Sequence, residues 1–214
     1  MGWIHKGLKE SNVKELIDNL IEYLRDEELP GVAGEPEFIK ELASSYSHAR
    51  GVSHEINMTM ESYFCPKVIA PIEVEGTINK AGHGQIETVA EFLAGFSVGA
   101  SGIAVEPSSQ LAAAEKMVQR GNLYLLFVDG TPVSMAQIAH RSARHARINA
   151  VYTPPQHRKQ GFASGLVAKL CKIIKEENLV PMLYADLNNP DSNKIYKNIG
   201  FLACGKIMDI KFTK

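Results

Sequence analysis

The run Arg158-Lys159-Gln160-Gly161-Phe162-Ala163 puts positive charge, a glycine and a small residue at the junction of two periodicities. Before it, residues 146–152 alternate apolar with polar positions, the pattern of a strand. After it, Phe162, Leu166, Val167, Leu170, Ile173 and Ile174 recur at helical spacing. A strand therefore feeds a short basic turn that opens directly into a helix. The first amides of a helix have no internal partner and lie at the positive end of its dipole. Gly161 and Ala163 carry almost no side chain, so a phosphate oxygen can come close to those amides. The chemistry indicated is anion binding, here of a diphosphate. Gln156, His157 and Arg158 make the approach polar and electropositive. Lys159, Gln160 and Phe162 offer amides more than side chains, and Lys159 adds a charge. The plainer reading is a helix entry whose Gly161 merely permits a tight turn.

Arg-x-x-Gly-x-Ala after a strand ending Val151-Tyr152-Thr153-Pro154-Pro155 resembles the acyl-CoA signature of the GNAT superfamily of N-acetyltransferases. A second segment, residues 184–201, resembles that family's next strand, its Asn-containing turn and its helix ending in Tyr-x-x-x-Gly-Phe. The resemblance implies that amides of Arg158, Lys159, Gln160, Gly161, Phe162 and Ala163 hold the CoA pyrophosphate. It implies that the preceding strand splays from its neighbour to admit the pantetheine arm. Backbone groups around Asn149, Val151 and Tyr152 would then polarise the thioester carbonyl, an oxyanion-type role. Asn188 and Asn193 would be amide ligands of the pantetheine arm. Tyr196 would line the cofactor and act as the general acid that protonates the CoA thiolate. A thiol of pKa about 8.5 leaves more easily when a phenol of pKa about 10 delivers a proton as charge develops.

Each of these residues also has a plain structural use. Tyr196 can pack beside Ile195 and Ile199 on an apolar helix face. Asn188-Asn189-Pro190 is a turn on its own terms, and Asp191 or Ser192 can cap the following helix. Asn193 lies three residues before Tyr196, so the two share a face. Residues 148–152 can simply pair in a sheet. No spacing selects a general base among His140, His145, Glu106 and a water relay.

Around these motifs the chain divides near Thr77. Upstream, Val13, Leu16, Ile17, Leu20, Ile21 and Leu24 mark a helix that stops at Pro30-Gly31. Glu35-Pro36 opens a second helix through Phe38, Ile39, Leu42 and Ala43. Residues 55–61 alternate as a strand, and residues 68–74, interrupted by Pro71, read as a connecting or edge segment. Downstream come helices at 86–96 and 111–119, a strand at 123–128, the hairpin turn Asp129-Gly130, a strand at 133–139, a basic turn at 140–145, and the glycine loop with its helix. Residues 207–212 read as the closing strand. The expected fold class is α/β: a GNAT-like mixed, mostly antiparallel sheet flanked by helices, with a smaller N-terminal α+β unit. A V-shaped opening is expected between the fourth and fifth strands of its core.

The expected domains are 1–76, an accessory unit, and 77–214, the acetyltransferase. Residues 25–38 resemble the leading portion of some bacterial GNAT proteins, where it is the tail of a degenerate first copy of the fold. That likeness implies a support or dimerisation element without a CoA site, since the glycine loop occurs once.

With 214 residues, 45% hydrophobic and 22% charged, the chain has the composition of a globular protein with a substantial core. A formal charge of -1 offers no general attraction to nucleic acid or to an anionic membrane. No apolar run spans a bilayer, and the first residues lack a signal-peptide core. Cys65, Cys171 and Cys204 have no metal-ligand spacing, and three thiols read as reduced and mostly buried in a cytoplasmic protein. The expected function is acetyl transfer from acetyl-CoA to an amine of unspecified acceptor, by direct attack in a ternary complex, with no metal. The expected partners are acetyl-CoA and the amine, with homodimerisation open, and neither nucleic acid nor membrane. The alternative is a non-catalytic acyl-CoA-binding sensor or regulatory protein.

Overall fold

The computed structural model describes residues 10–69 and 73–214. In chain order the elements are α1 (Glu10–Tyr23), β1 (Gly31–Gly34), α2 (Pro36–Arg50), β2 (Ser53–Phe64), β3 (Thr77–Lys80), α3 (Ile86–Ser101) and α4 (Pro107–Gln119). They continue with β4 (Leu123–Val128), β5 (Thr131–Arg141), β6 (His145–Tyr152), α5 (Phe162–Glu176), β7 (Val180–Asp186), α6 (Pro190–Ile199) and β8 (Leu202–Thr213). The architecture is the expected mixed, mostly antiparallel sheet with flanking helices.

Contacts divide the chain into two compact units, and the division is not a single cut. One holds residues up to Ser62 together with Tyr184–Asn189 and Ala203–Lys214; the other holds Tyr63–Leu183 and Pro190–Leu202. Strands β2, β7 and β8 each pass from one unit to the other.

In the first unit, the apolar stripes of α1 and α2 (Ile17, Phe38, Ile39, Leu42, Ala43) bury against Met208 and Ile210 of β8. Glu35 caps α2 by accepting from the Phe38 amide at 3.0 Å, with Pro36 in the first turn. The strand β1 was not expected, because Pro30-Gly31 reads as punctuation and four residues carry no periodicity. It pairs antiparallel with β8, from Gly31 opposite Lys211 to Gly34 opposite Met208. Gly31 is required there: a Cβ would overlap the carbonyl oxygen of Ile210. Tyr46 ties the preceding loop, donating to the Glu27 carbonyl at 2.6 Å and accepting from the Leu29 amide at 3.1 Å.

The second unit contains the β3–β4–β5–β6 antiparallel ladder and the parallel β6–β7 pair. Asp129 and Gly130 take φ of 48° and 77°, the double left-handed turn that suits a two-residue hairpin. Helices α3 and α4 bury Val89, Ala90, Phe92 and Ala114 against Leu123, Leu125, Met135 and Ala150. The basic turn is shorter than expected, since His140 and Arg141 belong to β5 and His145 already belongs to β6. Arg141 grips Glu177 through two bonds, Nε at 2.6 Å and an Nη at 2.9 Å, which holds the strand end in place. Of the expected segment 68–74, residues 68, 69, 73 and 74 form no strand, and residues 70–72 lie outside the described residues. The Ile69 amide bonds instead to the Ile199 carbonyl at 2.7 Å.

The Arg141 guanidinium holds the Glu177 carboxyl below the usual carboxylate range, and both side chains stay over a third exposed. Because the folded carboxyl is the stronger acid, this stabilisation is present above the unfolded pKa and is lost as pH falls through the folded value. Glu177→Gln is expected to cost only about 0.2–1 kcal/mol at neutral pH. The difference from the parent should fade in acid, as pH falls through the folded value of the parent carboxyl and its carboxylate is protonated. Urea denaturation at both pH values checks the sign and the size.

Candidate active site

The site begins with a fault in β6. Gln137 of β5 lies opposite Asn149, but Met135, two residues back, lies opposite Tyr152, three residues on. The strand thus carries an extra residue, a β-bulge, and Ala150 within it sits at φ 48°. A bulge leaves backbone groups outside the ladder, here in the interval from Asn149 to Tyr152. On its other side β6 pairs with β7 only from His145 opposite Val180 to Arg147 opposite Met182, although β6 runs on to Tyr152. The strand is therefore released from its parallel neighbour where the bulge begins.

The end of the strand is fastened. Ser134, fully buried, has its Oγ 3.1 Å from the Tyr152 carbonyl, to which it donates, and 2.9 Å from the Thr153 hydroxyl. Arg158 donates from Nε to the Thr153 carbonyl at 3.1 Å, so its side chain ties the loop to the strand. Lys159 at φ 62° and Gly161 at φ 83° are both left-handed, an arrangement that turns successive amides toward a common concavity. Helix α5 then starts at Phe162, with no side-chain cap on Gly161, and its first backbone bond is Gly165 to the Gly161 carbonyl at 3.0 Å. The amides of Phe162, Ala163 and Ser164 are left without intrahelical partners. Arg158, Lys159 and Gln160 are exposed, while Phe162 is buried beside the His157 ring.

Asn193 and Tyr196 meet on α6. Tyr196 is 8% exposed, its ring 5.9 Å from Phe201 and 6.4 Å from Tyr63. Burial pushes its phenol up to about 12. The Tyr63 hydroxyl donates to the Asn193 Oδ1 at 2.8 Å. Asn188 falls in the other unit, where its amide donates to the Asp186 carboxylate at 2.9 Å. Helix α6 begins at Pro190, which moves the cap position to Asn189 rather than Asp191 or Ser192. Among the described residues, no group of three or more His, Cys, Asp or Glu could hold a metal ion.

A family model described as the acetyltransferase (GNAT) family matches residues 86–201, more than half of the chain. The chain belongs to the GNAT acetyltransferase family. No curated protein matches it. Among solved structures it is similar to a GNAT acetyltransferase from Colwellia psychrerythraea at 14% identity and TM-score 0.64, covering 99% of this chain and 76% of that one. A Drosophila protein gives 16% identity and TM-score 0.70, over 100% and 69%. A GNAT-family acetyltransferase from Novosphingobium aromaticivorans gives 20% and 0.57, over 77% and 68%. At these identities the structures speak for the fold alone.

GNAT membership implies an acyl-CoA co-substrate, and three residues around the GNAT motifs escaped the sequence reading. Tyr63 lies at the end of β2, far from the motifs in sequence, and only the fold brings its hydroxyl to Asn193. Val74 packs on the first turn of α5: a Cβ at Gly165 would lie 2.9 Å from its Cγ2, and one at Gly161 3.5 Å. Gly95, mid-helix in α3, faces Tyr152 so closely that a Cβ would overlap the phenol oxygen. A glycine inside an amphipathic helix was the available signal, since it weakens the helix unless something needs the space.

Tyr152, packed on Phe92 with ring centroids 5.7 Å apart, is therefore positioned by the missing side chain of Gly95. Gly95→Ala should destabilise the fold, although the same change in an unobstructed helix gains about 0.5–1 kcal/mol. Adding Tyr152→Ala should make Gly95→Ala neutral or stabilising. A double-mutant cycle from chemical unfolding reads the coupling; additive effects would remove this contact from the account.

Proposed function

We propose that this protein transfers an acetyl group from acetyl-CoA to an amine by direct attack in a ternary complex. The observation that carries this reading is the junction of β6 and α5: a bulged strand, released from β7, leading through left-handed Lys159 and Gly161 to uncapped helical amides. Those amides and the electropositive approach suit a diphosphate. The groups left outside the ladder near Asn149, Val151 and Tyr152 suit a thioester carbonyl, whose oxygen gains negative charge as the amine attacks. The bond between the carbonyl carbon and the nitrogen forms, the carbon–sulfur bond breaks, and the thiolate must take up a proton.

Tyr196 is the proposed donor to that sulfur. At about 12 the phenol is protonated throughout the working range. It is also a weaker acid there than in water, because burial opposes its ionisation. Tyr196 then stabilises the departing sulfur as a hydrogen-bond donor more than it surrenders its proton early. Asn193, oriented by Tyr63, is the proposed ligand of the pantetheine amides. Residues 1–76 are the proposed accessory region, a reduced copy of the fold with no CoA site of its own.

Tyr196→Phe keeps the ring and deletes the donor. General acid catalysis contributes about 100- to 10,000-fold, so kcat should fall at least tenfold while acetyl-CoA affinity holds. Because the phenol stays protonated to about pH 12, it should impose no alkaline limb on kcat in the neutral range. An unchanged kcat, with chemistry limiting, reduces Tyr196 to packing. If acetyl-CoA binds yet no amine in a broad panel is acetylated, the sensor reading takes over.

Calorimetry tests the loop separately. Gly161 at φ 83° tolerates no side chain without strain, so Gly161→Val, the bulkier change, would rebuild the loop as well as fill it. The smaller Gly161→Ala should already weaken acetyl-CoA by about tenfold or more, about 1.4 kcal/mol. Titration of the parent should give one acetyl-CoA per chain; a stoichiometry of two would place a second site outside this loop.

A further inference from the structure

We propose that Ser134, a core residue of β5, is a positioning residue for acyl-CoA: by holding the Tyr152 carbonyl it aims the Thr153 amide at the arm of the ligand. The inference rests on the acyl-CoA reading above and adds to it a side chain that touches neither ligand nor reacting atoms. Ser134 is fully buried between Val133, Met135 and Ala136, all apolar and equally enclosed. A hydroxyl taken out of water costs free energy unless it is bonded, and an alanine would fill the place without that cost. What the hydroxyl holds is therefore informative.

Its one proton goes to the Tyr152 carbonyl at 3.1 Å, so across the 2.9 Å contact with the Thr153 hydroxyl it accepts. Ser134 thus grips the Tyr152–Thr153 peptide from both ends. A trans peptide is planar, and its N–H points opposite to its C=O. With the Tyr152 carbonyl turned toward Ser134 on β5, the Thr153 amide is turned away from β5. The next peptide is fixed as well, because Arg158 donates from Nε to the Thr153 carbonyl at 3.1 Å. One buried hydroxyl and one loop arginine hold the planes on either side of Thr153.

The place of this amide in the chain gives it a use. Met135 opposite Tyr152 ends the β5–β6 register, and the pairing of β6 with β7 has already ended at Arg147. Pro154 and Pro155 follow, and neither has an N–H. Beyond them the amides of His157 and Arg158 turn back to the carbonyls of Pro154 and Pro155, at 2.9 and 3.3 Å. Thr153 carries the last donor of the strand before the prolines and the glycine loop. A donor fixed in this way needs no ordering when a carbonyl oxygen arrives. The two ends of the ligand then depend on different residues: the diphosphate on the loop amides, the arm on the peptide that Ser134 holds.

The test is calorimetry on the full chain with two probes. Acetyl-CoA carries the arm, and 3′-phosphoadenosine 5′-diphosphate carries the same nucleotide without it. Ser134→Ala should weaken acetyl-CoA by about three- to tenfold, the span of one neutral hydrogen bond. The armless nucleotide should stay within about twofold of its parent affinity. Ser134→Thr, which keeps the hydroxyl, should restore most of the loss. In the 15N-labelled parent, the Thr153 amide proton should shift with acetyl-CoA and not with the nucleotide, and Ser134→Ala should reduce that shift. Equal weakening of both probes would make Ser134 a fold residue only and overturn the proposal, as would no weakening of either. An amide proton that answers both probes alike overturns it too. A parent that binds the nucleotide as tightly as acetyl-CoA removes the arm contact alone, whereas a parent that binds neither removes the acyl-CoA reading and this proposal with it. Should Ser134→Ala fail to fold, the response of the Thr153 amide in the parent decides.

Discussion

One alanine in a conformation that alanine avoids organises the second unit. Ala150 at φ 48° bears a steric cost of order 1–2 kcal/mol, and it is held there by everything around it. Its methyl group is buried with Leu125 and Met135, and the extra residue shifts Tyr152 into register with Met135. That shift lands the Tyr152 ring on Phe92 and its hydroxyl over Gly95, and brings its carbonyl to the Ser134 hydroxyl. Arg158 then ties the next carbonyl, and the left-handed turns at Lys159 and Gly161 follow. Remove the bulge and every later residue of β6 would point to the opposite face of the sheet.

What the sequence disclosed and what it hid follow from the range of the forces involved. The 3.6-residue and two-residue periods record burial of one face, so α5, β4 and the closing strand were legible from Leu166, Leu125 and Ile210 without knowing what covered them. The hairpin at Asp129-Gly130 was legible because left-handed backbone selects for those residues locally. The strand β1 was not, since Gly31 is there for the approach of Ile210, a residue near the other end of the chain. The loop was recognisable by its residues, but the bulge that feeds it was not. Ala150 is no signal by itself, and the offset exists only against β5. Tyr63 was invisible for the same reason: its role depends on a helix that lies 130 residues later.

Tyr196 shows the tension in burying a donor. Burial of the phenol keeps its proton in place, yet the same burial makes the proton harder to release. A group in that state is suited to answering charge that appears nearby for a moment, and poorly suited to bulk acid–base exchange. The ring contacts with Tyr63 and Phe201 fix its plane, so the reach of the hydroxyl is set by packing on both sides.

The first unit has a different consequence, one of timing. Strand β1 and the apolar faces of α1 and α2 take their partners from β8. During synthesis these early segments emerge with their apolar stripes uncovered and β1 unpaired until residues 208–211 have been made. Nearly the whole second unit leaves the ribosome in the meantime, and its local hairpins can form first. Helices α1 and α2 are thus among the last elements to be enclosed, and their apolar faces are what a chaperone would meet on the nascent protein.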